Sequence, residues 1–104
     1  MKVTAWNNGS PSETGTGYGI KIDHVDRDRY FKEEWDSAII DLENGKRIEV
    51  NISEGFWRGC CELRSAEIGR WFIEHCLAPW PKRYPPKMEL QPLEERTFLL
   101  KIPE

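Results

Sequence analysis

The sequence predicts an α+β fold: a mainly antiparallel sheet, curled or partly closed into a small barrel, with one helix packed against it. Three observations carry this. Apolar and polar residues alternate in short runs along most of the chain, the period of a half-buried strand. Asn44-Gly45 sits between two such runs, which is the strongest short-range hairpin signal. Only one stretch, residues 66–77, combines helical spacing with a capping residue. The chain of 104 residues is sufficient for one domain, 1–104, around one core.

Residues 3–6 form a short strand. Residues 7–19 are rich in Asn, Gly, Ser and Thr and read as a loop. Tyr18, Ile20 and Ile22 then alternate with Gly19, Lys21 and Asp23, a second strand. Residues 24–34 are too charged and irregular to assign. In the hairpin over 35–52, a two-residue turn would set Leu42 opposite Arg47 and Ile40 opposite Glu49. A three-residue loop, Glu43-Asn44-Gly45, instead sets Leu42, Ile40 and Ala38 against Lys46, Ile48 and Val50, with Asp41 opposite Arg47 on the other face. The second register keeps one face apolar and pairs opposite charges on the other, so it is preferred. Gly45 is then the left-handed residue of a bulge.

Ser65 caps the helix, with Glu67 in its first turn. Its apolar stripe is Ile68, Gly69, Phe72, Ile73, Cys76 and Leu77, which leaves Arg70 and Trp71 facing outward. Four prolines, Pro79, Pro81, Pro85 and Pro86, stiffen the crossover that follows. A last hairpin runs out through Met88, Leu90 and Pro92 and back through Phe98, Leu100 and Ile102, and Pro92 suggests an edge strand.

Composition narrows the function. Eighteen acidic against fifteen basic residues leave a net charge of −3, which argues against a general nucleic-acid binder. No apolar run is long enough to span a bilayer, so no membrane role is expected. The first residues lack the apolar stretch of a signal peptide, and three cysteines, Cys60, Cys61 and Cys76, make an odd count. A cytoplasmic, reducing setting is therefore expected. Cys60 and Cys61 are adjacent and on an extended chain point to opposite faces, one buried and one partly exposed. Adjacent cysteines do not suit a zinc site, and no cofactor or metal is expected.

Gly15-Thr16-Gly17-Tyr18-Gly19 superficially resembles a phosphate loop, but a strand follows it where a phosphate loop needs a helix. Its plainer role is to let chains bend or approach closely. Asp23, His24, Asp26 and Asp28 gather carboxylates around an imidazole. A calcium loop counted from Asp26 would need Gly and Glu where Phe31 and Ser37 stand. His24 as a general base beside an Asp, with the Gly-rich loop in its pocket, is the alternative enzymatic reading. His75 and Cys76 point about 100° apart on a helix, a poor nucleophile–base pair.

The preferred reading is a small binding or interaction module without catalysis. Its binding residues are Trp80, Lys82, Arg83, Tyr84 and Lys87 on the crossover, joined by Arg70 and Trp71 from the helix. Indoles, a phenol and cations together are typical of interface anchors. The partners that fit are an acidic protein surface or a second copy of the chain, ahead of a short single strand of nucleic acid.

One expectation concerns the first hairpin alone. Gly45→Val should lower stability by about 1–2 kcal/mol, because a β-branched residue resists positive φ. A denaturant midpoint equal to that of the parent chain would refute the three-residue loop.

Overall fold

The computed structural model describes residues 1–102. Along it run β1 (Lys2–Asn7), β2 (Tyr18–Ile22), α1 (His24–Tyr30), β3 (Ser37–Leu42), β4 (Arg47–Asn51), α2 (Glu54–Arg58), β5 (Glu62–Arg64), α3 (Ala66–Glu74), β6 (Lys87–Glu94) and β7 (Thr97–Lys101). The strands form one sheet in the order β4-β3-β7-β6-β1-β2-β5. Every pairing is antiparallel except that of β3 with β7. The sheet curls until its edge strands, β4 and β5, come together and nearly close a barrel. Alternate residues fill the interior: Val3 and Ala5, Ile20 and Ile22, Ala38 and Ile40, Ile48 and Val50, Met88 and Leu90, Phe98 and Leu100 are all buried, as the pleat requires.

The hairpin has the expected register, with Ala38 opposite Val50, Ile40 opposite Ile48 and Asp41 opposite Arg47. Gly45 lies at φ +87°. Arg47 donates two hydrogen bonds to the Asp41 carboxylate, at 2.7 and 3.0 Å, and this pairing holds the carboxyl below its ordinary range. Cys61 is buried and Cys60 exposed, the expected split, although the pair sits in the turn between α2 and β5, where the Glu62 N–H bonds the Cys60 carbonyl.

Three differences have identifiable causes. First, there are three helices among the described residues, not one. α1 has no buried residue and α2 is five residues long with only Phe56 buried, so neither shows an apolar period. α1 is held from outside its own sequence. Arg27 Nη1 donates to the Phe56 carbonyl at 3.0 Å and to Cys61 Sγ at 3.4 Å, and its guanidinium lies 5.3 Å from the Trp57 ring centre. The helix thereby delivers Phe31 into the core, stacked on Phe98 at 4.7 Å.

Second, α3 stops at Glu74, before the predicted end. Cys76 adopts φ 58°, its N–H bonds to the Ile73 carbonyl, and the Leu77 N–H bonds to the Phe72 carbonyl at 2.8 Å. This is a Schellman stop with a cysteine in the place that glycine usually takes. Cys76, expected in the core, is therefore exposed.

Third, β6 is interior, between β7 and β1, and not an edge strand. Its pairing with β1 covers Lys87 to Glu89, and the Leu90 N–H still reaches the Met1 carbonyl. Two residues on, Pro92 faces the same side beyond the reach of β1, so its missing N–H leaves no ladder bond unmade.

The Gly-rich loop has a structural role. Gly15 crosses α3 at Gly69 so closely that a Cβ on Gly69 would lie 2.7 Å from the Gly15 Cα. Arg70 Nη1 donates to the Thr14 carbonyl at 3.0 Å, fastening the loop beside that crossing. Alanine is favoured over glycine in a helix by about 1 kcal/mol, yet overpacking against backbone costs about 1–3 kcal/mol. Gly69→Ala should therefore lose up to about 2 kcal/mol net; a raised urea midpoint would show that the loop does not clasp the helix. Cys76→Gly should instead gain about 0.5–1 kcal/mol by relieving a left-handed non-glycine residue, and a lowered thermal midpoint would contradict that.

Candidate functional site

The outward residues of β1 are Lys2, Thr4 and Trp6, because Val3 and Ala5 point inward. Register supplies their neighbours. Thr4 lies between Lys21 of β2 and Lys87 of β6, and Lys87 Nζ reaches Thr4 Oγ1 at 3.4 Å. Trp6 lies opposite Gly19, and Gly19 opposite Arg64. With no side chain between them, the Arg64 guanidinium sits 4.7 Å from the Trp6 ring centre. The crossover runs alongside β1, since the Ala5 N–H donates to the Pro86 carbonyl at 2.8 Å.

These elements enclose an open groove of about 760 Å³ that brings Trp6, Trp80, Arg83, Lys2, Lys21 and Lys87 together with Asp23 and Asp26. A second depression of about 560 Å³ shares Asn7, Trp80 and Arg83 with it and adds Lys82, Tyr18 and Pro79. A third, of about 500 Å³, continues past Tyr18 and Pro79 to Ile73 and Ala78. One face is thus cationic at one end and aromatic and proline-lined at the other.

The four cations in the groove are only partly offset by its two carboxylates, Asp23 and Asp26. Register sets Glu89 opposite Lys2 and Glu62 opposite Lys21. Glu89, however, bonds the Met1 amino group at 2.8 Å, and Glu62 bonds Arg64 at 3.2 Å. Asp23 is occupied in capping α1, accepting the Val25 N–H at 2.9 Å. Among the described residues, Lys2, Lys21, Arg83 and Lys87 make no ion pair.

Of the residues singled out from the sequence, Trp80, Arg83 and Lys87 meet in this groove and Lys82 in the adjoining depression. Trp80 is half-buried, packed against Tyr18 and Phe72 at 5.6 and 6.1 Å. Tyr84, between the lining residues Arg83 and Pro85, is 75% exposed and does not itself line the groove. Two residues do not belong. Trp71 is 1% exposed, packed on Phe72 and His75, because α3 is covered over a wider arc than a single stripe. Arg70 is exposed but engaged by Thr14 on the loop side. Lys2, Thr4, Trp6 and Lys21 were missed; strand alternation puts them outward, and only the register shows that they share one patch with the crossover.

The remaining candidates separate. His24 is exposed at the start of α1 and does not line the groove that Asp23 and Asp26 reach. At the far side of the sheet the Ser37 hydroxyl donates to Glu49 at 2.6 Å and accepts from Arg96 at 2.9 Å. The Ser37 hydrogen bond, helped by Arg96, keeps the Glu49 carboxyl below its ordinary range. This cluster ties β3 and β4 to the turn before β7. Among the described residues, no group of His, Cys, Asp and Glu is arranged to hold a metal ion, and no helix is long and apolar enough to cross a membrane. No protein-family model, curated protein or solved structure matches the chain.

Proposed function

We propose that the chain is a small cytoplasmic binding module without catalysis, and that its ligand is an extended anionic chain lying in the groove between β1, β2, β6 and the crossover. The observation that carries this is the set of four cations, Lys2, Lys21, Arg83 and Lys87, that make no ion pair among the described residues and share one face of a chain whose net charge is −3. Cations scattered for solubility would alternate with acids, as they do at Arg47 and Asp41 or Arg58 and Glu54. Here Lys2, Lys21, Arg83 and Lys87 outnumber Asp23 and Asp26 in the groove lining, so the local field favours an anion. The half-buried Trp80 adds an apolar wall of the kind that anchors a partner, and the prolines reduce the ordering entropy that binding costs.

Charge reversal separates this reading from a solvated surface. On a heparin column at low salt the parent chain should be retained despite its net negative charge. Lys21→Glu combined with Lys87→Glu should elute unretained, whereas Arg58→Glu, on α2 outside the groove, should behave as the parent does. Equal elution of the groove and α2 variants would remove the groove from consideration.

A further inference from the structure

Resting on that reading, we propose that the groove takes a short single strand of nucleic acid, with phosphates at Lys21, Lys87 and Arg83 around Thr4 and bases against Trp80 and Tyr84. Three features favour this occupant over an acidic peptide. The groove floor is built on β1, which is paired to β6 on one side and β2 on the other. β6 pairs it over Lys2–Thr4 and Pro86 takes the Ala5 N–H, which leaves only the Trp6–Asn7 end uncovered, too short an edge for an extended peptide to add a strand by main-chain bonds. The ligand must bind through charges and rings alone.

A phosphodiester chain carries its charge in the backbone and a flat ring on every unit, which is what a cationic groove lined with aromatic side chains accommodates. A peptide of aspartate and glutamate would meet the lysines but bring no ring to Trp80. The spacing of the cations is also suitable. Lys21 and Lys87 flank Thr4 on adjacent strands, which separates their Cα atoms by about 10 Å. Arg83 and Trp80 stand at the same groove wall, so charge and ring lie within one or two units of each other along the strand. A lipid surface is less suited, because the exposed large apolar side chains, Val25, Leu93 and Tyr84, sit on three separate elements and form no insertion face.

The test is fluorescence anisotropy with labelled oligothymidine, labelled oligouridine and labelled polyglutamate of equal length. Binding of either oligonucleotide ahead of polyglutamate, accompanied by quenching of tryptophan emission, supports the proposal. The Lys21→Glu, Lys87→Glu double variant should weaken the oligonucleotide at least about tenfold. The affinity should fall with salt at a log–log slope of about −2, given about −0.7 per phosphate contacted on a single strand. Tyr84→Ala, an exposed substitution that leaves the core untouched, should reduce the affinity and the salt slope should stay the same. Polyglutamate binding as tightly as the oligonucleotides would overturn the nucleic-acid assignment and leave the anionic groove standing. So would retention on heparin without binding of either oligonucleotide. Oligonucleotide binding that survives the double reversal in a chain with an unchanged circular dichroism spectrum would overturn the placement in this groove.

Discussion

The parallel pairing of β3 with β7 is the constraint on which the rest of the fold depends. Ile39, Ile40, Asp41 and Leu42 lie beside Thr97, Phe98, Leu99 and Leu100, residues far apart in the chain. Without this ladder the β3–β4 hairpin would be a separate ribbon, and two-stranded ribbons are marginal in water. With it, the hairpin extends the sheet far enough for β4 to curl back toward β5. The inward rows from all seven strands then share one core. The ladder must close a long loop before its contacts form, at an entropic cost that the buried row of Ile40, Leu42, Phe98 and Leu100 offsets.

Close backbone approach is the second element of the design. Gly15 against Gly69 brings the loop onto α3, and Gly19 brings β2 onto β5, where a Cβ would lie 2.9 Å from the Arg64 Cα. Neither contact leaves room for a side chain. Their consequence reaches the outer surface: at Gly19 the absent side chain allows Trp6 and Arg64 to stack, and the clasped loop fixes Tyr18 where the groove continues toward Pro79. Glycines that suggest a phosphate cradle in the sequence thus act on the scaffold, while charge is gathered elsewhere, on the outer face of β1 and its neighbours.

That face illustrates how pairing partners decide an electrostatic surface. Lys2 and Lys21 each have an acid directly across the ladder, and a list of opposite charges would count them as neutralised. Glu62 instead lies along its own strand toward Arg64, and Glu89 goes to the chain's first amino group. The lysines left over are concentrated around Thr4. Exposed ion pairs contribute little to stability, so this arrangement costs the fold little and still sets the sign of the local potential.

Local pattern by itself determined the antiparallel α+β character, the three-residue loop at Gly45 with its register, the capped start of α3 at Ser65 and the last hairpin. Each of these rests on interactions between residues close in sequence: alternation, a turn dihedral, a cap. It also singled out the crossover cations and Trp80. The tertiary structure alone decided the features whose partners are distant. α1 and α2 exist because Arg27, Phe31 and Phe56 find contacts outside their own segments. The helix stop at Cys76 replaces the usual glycine with a residue that carries no stop signal. Trp71 is buried because α3 is covered over a wide arc, and Pro92 is tolerated in an interior strand because β1 does not extend alongside it. The groove belongs to the same class. Lys2, Lys21 and Lys87 are separated by most of the chain, and only the strand order β6-β1-β2 sets them around one threonine. A strand's pairing partner is a long-range choice made by the whole core, so no local pattern encodes it.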